Sequence, residues 1–261
     1  MEHLADEAFV VEFIKEVRRK DPGIGGGKLW GMYRKRFGPS HSVGYNRFYD
    51  IIEKYDLKVR KRRRRVKTTD STHGLPLYPN IVKNLIPLRP GHVWVSDITY
   101  IPIWIRGKGE EYTFCYLSLL TDYYTKQILG WSVGETLETK FPMEALKMAL
   151  ESLGGIIPEG LIHHSDRGVQ YCCNQYIERL QTIQATISMT EDHKPTDNAI
   201  AERVNGIIKQ EWLYRMKRPS NVEAARKLLT GIIDFYNNRR PHRSNRDMLP
   251  PVRLREALTG V

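Results

Sequence analysis

Three acidic residues stand where they could bind metal ions together. Asp97 lies within the apolar stretch VWVSDITYIPI, Asp166 follows the apolar stretch that ends in LIHHS, and Glu202 lies in TDNAIAERVNGIIKQEW. The first two stretches are typical of β-strands and the third of a helix, so each carboxylate sits on or directly after a rigid element. Carboxylate oxygens bind hard divalent cations, and two such ions can assist a displacement at phosphorus. The expected chemistry is therefore metal-dependent phosphoryl transfer.

The charge of the chain favours a nucleic acid as the source of that phosphate. The formal net charge is +11, and residues 1–70 hold 18 Lys and Arg against 10 Asp and Glu. Eight basic residues and no acidic ones lie between Lys58 and Lys67. Such runs are often solvated or disordered, but phosphate contact is the better interpretation in so basic a chain. The predicted DNA contacts are Asn205, Lys209, Arg47, Arg62, Arg63, Arg64, Arg65, Arg239, Arg240 and Arg243.

Composition argues against several other classes of protein. With 261 residues, 41% of them hydrophobic, the chain can bury a core. No apolar run in the sequence approaches the ~18 residues of a membrane span, and the acidic N-terminus does not resemble a signal or transit peptide. Three cysteines, two of them adjacent, do not form a disulfide framework. We predict a cytoplasmic protein that has no membrane partner.

The N-terminal part of the chain predicts a small helical domain. Apolar residues at helical spacing predict three short helices, over residues 4–20, 26–37 and 43–55. Short helices joined by tight turns are typical of a helix-turn-helix, and Arg47 lies near the start of the third helix. We expect a helix-turn-helix-like DNA-binding domain over residues 1–57 and a basic linker over 58–90. Plain packing of three helices would give the same pattern.

From Gly91 onward the pattern changes to alternating strands and helices in the order βββαβαβα, followed by one further helix. The predicted strands cover residues 93–103, 111–120, 127–133, 160–164 and 186–189. The predicted helices cover residues 138–153, 174–184, 197–214 and 220–237. This order predicts an α/β fold with a mixed sheet flanked by helices. We assign residues 91–240 to this core and 241–261 to a C-terminal tail.

The helix that carries Glu202 has two faces of different character. One face is an apolar stripe, formed by Ile200, Val204, Ile207, Ile208 and Trp212. On the other face, Asn198, Asn205 and Lys209 align with Glu202 at helical spacing. An ordinary solvated face has the same composition, so the pattern alone leaves both interpretations open.

Together these segments resemble the transposases of the insertion-sequence-three family, which share the retroviral-integrase catalytic core and its ribonuclease-H-like fold. The resemblance rests on VWVSDITYIP, LIHHSDRGVQY, ISMTEDHKPTDNAIAERVNGIIKQEW and FYNNRRPHRSNRDMLPP, with GYNRFYDIIEKYDL in the N-terminal helices. Thirty-five residues lie between Asp166 and Glu202, and Lys209 follows Glu202 by seven positions. Both spacings fit the family.

The resemblance implies a DNA transposase that cleaves at mobile-element ends and transfers the 3′ ends into DNA. Asp97, Asp166 and Glu202 would be catalytic and would bind Mg²⁺ or Mn²⁺, two ions per active site when DNA is bound. The implied partners are the terminal inverted repeats, target DNA and further copies of the chain, in a dimer or larger assembly at the bacterial nucleoid. Members of the family commonly work as a fusion made by frameshifting between two reading frames. Because Met1 is followed at once by the integrase-type region, we expect this chain to be the product of the downstream reading frame. An upstream helix-turn-helix product would then recognise the ends.

Two other functions remain open at this point. A non-catalytic DNA-binding regulator of transposition would need the basic segments but no metal, and the intact acidic triad argues against it. A ribonuclease-H-type nuclease acting on RNA–DNA hybrids would need the triad. The N-terminal helices and the basic closing segment favour chemistry at DNA ends instead.

Overall fold

The computed structural model describes residues 2–39, 42–59, 74–105, 111–191 and 198–260. The strands are β1 Val93–Trp104, β2 Tyr112–Asp122, β3 Ile128–Gly134, β4 Ile162–Ser165 and β5 Thr186–Met189. The helices before and between the strands are α1 Glu2–Arg18, α2 Gly26–Phe37, α3 Tyr45–Lys54, α4 Lys140–Ser152, α5 Val169–Cys172 and α6 Asn174–Thr182. After β5 come α7 Ala199–Ile207, a π-helical turn Ile208–Leu213, α8 Val222–Asn238, a 3₁₀ turn Arg246–Met248 and α9 Pro251–Thr259.

The five strands form one mixed sheet in the order β3-β2-β1-β4-β5. The first three strands form the predicted antiparallel meander, and β4 and β5 join it in parallel. Parallel strands need a crossover connection. The segment with α4 crosses from β3 to β4, and the segment with α5 and α6 crosses from β4 to its parallel neighbour β5. The mixed sheet flanked by helices is therefore confirmed.

Helices cover both faces of this sheet. On one face, Trp94, Leu120 and Leu129 pack in a buried cluster with residues of α4 and α6. On the other face, Ile101 and Leu117 share a cluster with residues of α7, α8 and all three N-terminal helices. The N-terminal helices therefore pack on α7 and α8 through a continuous apolar core, with helix bounds close to those predicted.

The structure differs from the prediction in three elements. The predicted helix over 197–214 changes to π-helical geometry at Ile208. The four-residue helix Val169–Cys172 was not predicted, and neither was Pro251–Thr259, which falls in the segment assigned as a tail. Proline at the first position of a helix is a recognised start signal that could have identified the last one. Among the helices described, none combines the length and hydropathy that crossing a bilayer requires.

Gly130 allows α4 to lie directly on β3, and this contact gives a testable prediction. A Cβ at position 130 would lie 1.9 Å from the Ala145 carbonyl oxygen and 2.8 Å from the Ala149 nitrogen. Gly130→Ala should therefore lower the free energy of unfolding by about 2 kcal/mol or more, because helix and strand must separate. Urea denaturation measures the change.

The matched control is Gly231→Ala in α8. A Cβ there would meet no atom within 4 Å, so alanine should stabilise the helix by about 0.5–1 kcal/mol. Equal effects of the two substitutions would contradict the close approach of α4 to β3.

Candidate active site

The parallel pairing of β1 and β4 brings two of the three predicted carboxylates together. Val95 is paired with His164, and two residues further along each chain come Asp97 and Asp166. Asp97 is inside the longer strand β1, whereas Asp166 follows the last residue of β4. The carboxyl ends of parallel strands are where ligand sites form in open sheets. The sheet register therefore places both carboxylates at the same edge.

Asp97 occupies an electrostatically unfavourable position. Burial from water, together with the negative charges of Asp166 and Glu202, raises the pKa of its carboxyl to about 7. One hydrogen bond opposes this effect, since the side-chain amide of Asn205 donates to Asp97 Oδ2 at 2.6 Å. Lys209 provides a favourable charge at longer range. A cation at this edge of the sheet would relieve the excess negative charge.

The turn that follows Asp166 orients its carboxylate. Its Oδ1 accepts a hydrogen bond from the backbone N–H of Gly168 at 3.0 Å. Burial raises the pKa of Asp166, and this backbone hydrogen bond lowers it in part. The turn therefore fixes the direction of the Asp166 carboxylate without neutralising it.

Glu202 approaches the pair from α7. It lies in the first turn of that helix and is exposed, and partial burial raises its pKa. Within the described ranges, no three His, Cys, Asp or Glu side chains converge closely enough to hold one metal ion. The three carboxylates are thus electrostatic neighbours, but they do not converge closely enough to hold one ion together.

Two of the polar residues that align with Glu202 face the sheet rather than solvent. Asn198 and Asn205 are buried, and the Asn198 side-chain amide donates to the Ser96 carbonyl oxygen at 3.0 Å. The Asn205 amide is thus buried against Asp97 rather than exposed to solvent, and its predicted contact with DNA stays a prediction. Asn205 Oδ1 is itself buried without a hydrogen-bond partner among the described residues. Its role is to orient the Asp97 carboxylate.

Lys209 lies in the π-helical turn that continues α7. Its side chain is partly buried, which lowers its pKa, while the charge of Asp97 acts in the opposite direction. A cationic ammonium beside an acidic edge can neutralise a phosphate group. Its predicted contact with DNA remains a prediction.

The other predicted DNA contacts fall into four groups. Arg240 is buried, with a side chain 2% exposed, and forms an ion pair with Glu211 rather than facing solvent, so its predicted contact with DNA stays a prediction. Arg47 is partly exposed but is paired with Glu7 of α1 at 2.6 Å. Arg239 and Arg243 are exposed and remain predictions. The residues outside the described ranges are Arg62, Arg63, Arg64 and Arg65.

A buried polar network beneath the site was not predicted. Ser96 Oγ and Tyr176 Oη lie 2.9 and 3.0 Å from His163 Nε2. Burial lowers the pKa of His163 to about 3, so its imidazole is neutral at physiological pH. Ser96 precedes Asp97 and His163 lies three residues before Asp166, so the network braces the two strands that carry the carboxylates. The pair His163–His164 in an apolar stretch was the available sequence signal.

Comparison with known proteins agrees with this geometry. Two models described as integrase core domain match residues 87–195 and 183–251. The insertion element IS600 uncharacterized 31 kDa protein of Shigella sonnei is 33% identical over 215 residues, which is 82% of this chain and 75% of that protein. The transposase for insertion sequence element IS629 of Shigella sonnei is 33% identical over 69% of this chain, and the alignment spans 57% of that transposase.

A solved structure shows the same fold. A chain of the simian T-cell lymphotropic virus intasome in complex with PP2A regulatory subunit B56 gamma superimposes with a TM-score of 0.53. The two chains are 15% identical, and the superposition covers 89% of this chain and 70% of the other. Fold and site together define an integrase-type catalytic core with a ribonuclease-H-like sheet. The chain belongs to the insertion-sequence-three family of transposases.

Proposed function

We propose that this chain catalyses DNA transposition, by cleaving DNA at the ends of a mobile element and joining the 3′ ends to new DNA. The observation that carries the proposal is the meeting of Asp97 and Asp166 at one sheet edge, with Glu202 on the helix that covers it. The proposed reaction is a phosphoryl transfer without a covalent protein–DNA intermediate. Its substrates are the terminal inverted repeats and the target DNA.

The three carboxylates fit divalent metal ions by their chemistry. They supply only oxygen ligands, as Mg²⁺ and Mn²⁺ prefer, and burial together with the neighbouring carboxylates raises the pKa of Asp97. We propose that Asp97, Asp166 and Glu202 hold two such ions when DNA is bound. When bound, the ions would activate the attacking hydroxyl and stabilise the leaving 3′ oxygen.

The remaining residues of the site prepare these carboxylates. The Asn205 amide holds the Asp97 carboxylate in one orientation through its 2.6 Å hydrogen bond, and the Gly168 N–H does the same for Asp166. Lys209 places a positive charge beside Asp97, where a phosphate of the DNA would be attracted. Binding groups held in place before the reaction lower its barrier because little reorganisation remains.

Two DNA ends must meet in this reaction, so we propose a dimer or larger assembly of the chain on paired ends. The protein product of an upstream reading frame, or a fusion to it, would supply part of the end recognition. Light scattering of the chain with end duplexes checks the stoichiometry. Purely monomeric active complexes would contradict the assembly.

The test is joining of a labelled duplex, carrying an end of the element that encodes the chain, to a supercoiled plasmid. Reactions contain Mg²⁺, Mn²⁺ or EDTA, with and without the upstream product. We expect joining only with metal and its loss in Glu202→Gln, because the amide cannot replace a charged ligand. Glu178→Gln, on the exposed side of α6, is the matched control and should join like wild type.

Joining in EDTA, or wild-type joining by Glu202→Gln, would contradict the proposed chemistry. End binding without joining under every condition, including with the upstream product, would instead support a non-catalytic regulator of transposition. Cleavage of an RNA–DNA hybrid in place of DNA joining would indicate a nuclease of the ribonuclease-H type.

A further inference from the structure

A buried group of four charged residues links the N-terminal helices to the helix that carries Glu202. We name it the ionic clamp, and its members are Asp21, Lys28, Glu211 and Arg240. Glu211 accepts two hydrogen bonds from Arg240, at 2.6 and 2.8 Å, and one from Lys28 Nζ at 2.7 Å. The side chains of Lys28 and Glu211 are only 15% and 13% exposed. Lys28 therefore ties α2 to the π-helical turn after α7.

Two contacts that involve no charge reinforce this connection. The Trp212 indole N–H donates to the Lys20 carbonyl oxygen at 2.7 Å. The backbone of Gly23 lies so close to Glu211 that a Cβ at position 23 would be 2.3 Å from Glu211 Cα. The turn between α1 and α2 is thus fitted against the π-helical turn through its backbone as well as its charges.

The clamp acts on the same helix that holds the candidate catalytic residues. Glu202 lies in α7, Lys209 and Glu211 lie in the π-helical turn, and the backbone stays helical between them. Nine residues of helix span roughly 13 Å, and a helix transmits rotation and translation along its axis. Isolated π-turns are uncommon and frequently occur at functional sites. Fixing Glu211 therefore fixes the direction from which Glu202 approaches Asp97.

The clamp combines two acidic and two basic residues, which are costly to bury. Burial and the charge of Glu211 raise the pKa of Asp21, while Arg240 and Lys28 together lower the pKa of Glu211 despite its burial. Buried ion pairs often add little net stability, because removing charged groups from water costs as much as their attraction returns. Such a group is better explained by the unique geometry that it imposes than by stability.

We propose that the ionic clamp positions Glu202 and Lys209 for DNA joining, so that the N-terminal helices contribute to the rate of reaction after DNA is bound. The proposal rests on the proposed function of the chain. Glu211 and Lys28 are positioning residues in this account, since neither is one of the carboxylates beside Asp97.

The test compares Lys28→Met with Lys28→Arg and wild type in single-turnover joining with Mg²⁺ and saturating end duplex. Lys28→Met removes the link to α2 and leaves the pair between Glu211 and Arg240 in place. We expect a joining rate about 10- to 100-fold lower, as for residues that orient metal ligands. The affinity for the end duplex should change less than about twofold. Lys28→Arg should restore most of the rate.

Hydrogen exchange provides a readout that does not depend on activity. Loss of the clamp should raise amide exchange over residues 199–213 in Lys28→Met but not in Lys28→Arg. The matched control is Arg36→Met, which removes an exposed ion pair to Glu16 within the N-terminal helices. It should leave both the joining rate and the exchange over 199–213 at wild-type levels.

The outcomes separate the two proposals. If wild type joins DNA and Lys28→Met joins at the same rate, the clamp proposal is overturned. If wild type fails to join DNA, the proposed function fails. Independently of joining, unchanged amide hydrogen exchange over residues 199–213 in Lys28→Met would overturn the clamp proposal. If Lys28→Met joins DNA more slowly only because it binds the end duplex more weakly, α2 contributes to DNA binding and not to positioning.

Discussion

Asp97→Asn should abolish DNA joining while making the metal-free protein more stable. Loss of this carboxylate removes a proposed metal ligand, so we expect a joining rate at least about 10³-fold lower, equivalent to about 4 kcal/mol of transition-state stabilisation. The purified variant and wild type are compared in the joining assay at equal occupancy by the end duplex. Retention of more than a few per cent of the rate would contradict a catalytic role for Asp97.

The expected gain in stability of Asp97→Asn follows from the pKa of Asp97. Burial and the neighbouring acidic residues raise this pKa to about 7 in the folded chain, above the ~3.9 of an unfolded chain. The Asp97 carboxyl therefore destabilises the fold progressively as the pH rises above its pKa in the unfolded chain. This destabilisation reaches its full size above the pKa in the folded chain. At pH 8 without metal, Asp97→Asn should be more stable than wild type by about 1 kcal/mol or more.

Addition of Mg²⁺ should make wild type more stable than Asp97→Asn. A ligand that binds only the folded state raises its stability, so Mg²⁺ should raise the melting temperature of wild type and leave Asp97→Asn nearly unchanged. Asp234→Asn, at an exposed position of α8, is the matched control and should respond to Mg²⁺ like wild type. An equal response of Asp97→Asn would place the metal elsewhere.

Arg240→Met should destabilise the protein more than loss of an exposed arginine. Arg240 is 2% exposed and forms two hydrogen bonds with Glu211, whose side chain is 13% exposed. Its removal leaves a buried carboxylate with Lys28 as its remaining ion-pair partner, at a cost of about 3–5 kcal/mol. Urea denaturation at pH 7.5 measures the loss.

The control for this loss is Arg253→Met, which breaks a pair to Glu256 between side chains 63% and 41% exposed. Exposed pairs contribute about 0–1 kcal/mol, so this variant should remain close to wild type. Comparable losses in the two variants would mean that burial of Arg240 adds nothing to the strength of its ion pair.

The sequence predicted the sheet well because the spacing of apolar residues along a strand depends on that strand's own burial. Alternating and continuous apolar residues predicted all five strands, and the bounds of β5, Thr186–Met189, agree residue for residue. The meander needs only short turns, which are visible in the sequence. The convergence of Asp97 and Asp166 then depends on one parallel register, which the order of the elements restricts to few possibilities.

The sequence did not reveal contacts between residues distant in the chain. The stripe of Asn198, Glu202, Asn205 and Lys209 was identified correctly, but helical periodicity does not reveal which neighbour covers a polar face. Arg240 lies in a basic cluster that looks exposed, and only its partner Glu211, 29 residues earlier, explains its burial. Charge counting detects the arginine but not the buried carboxylate that pairs with it.

The packing of the N-terminal helices on α7 and α8 has a consequence for synthesis on the ribosome. Lys28 meets Glu211 across 183 residues of sequence, and the apolar residues of the N-terminal helices share one buried cluster with residues of α7 and α8. Contacts this distant slow folding, because a long loop must close before they form. The emerging N-terminal helices therefore remain without their partners until nearly the whole chain has been translated. Premature termination before α7 should yield products that aggregate or are degraded, so only completed chains should accumulate.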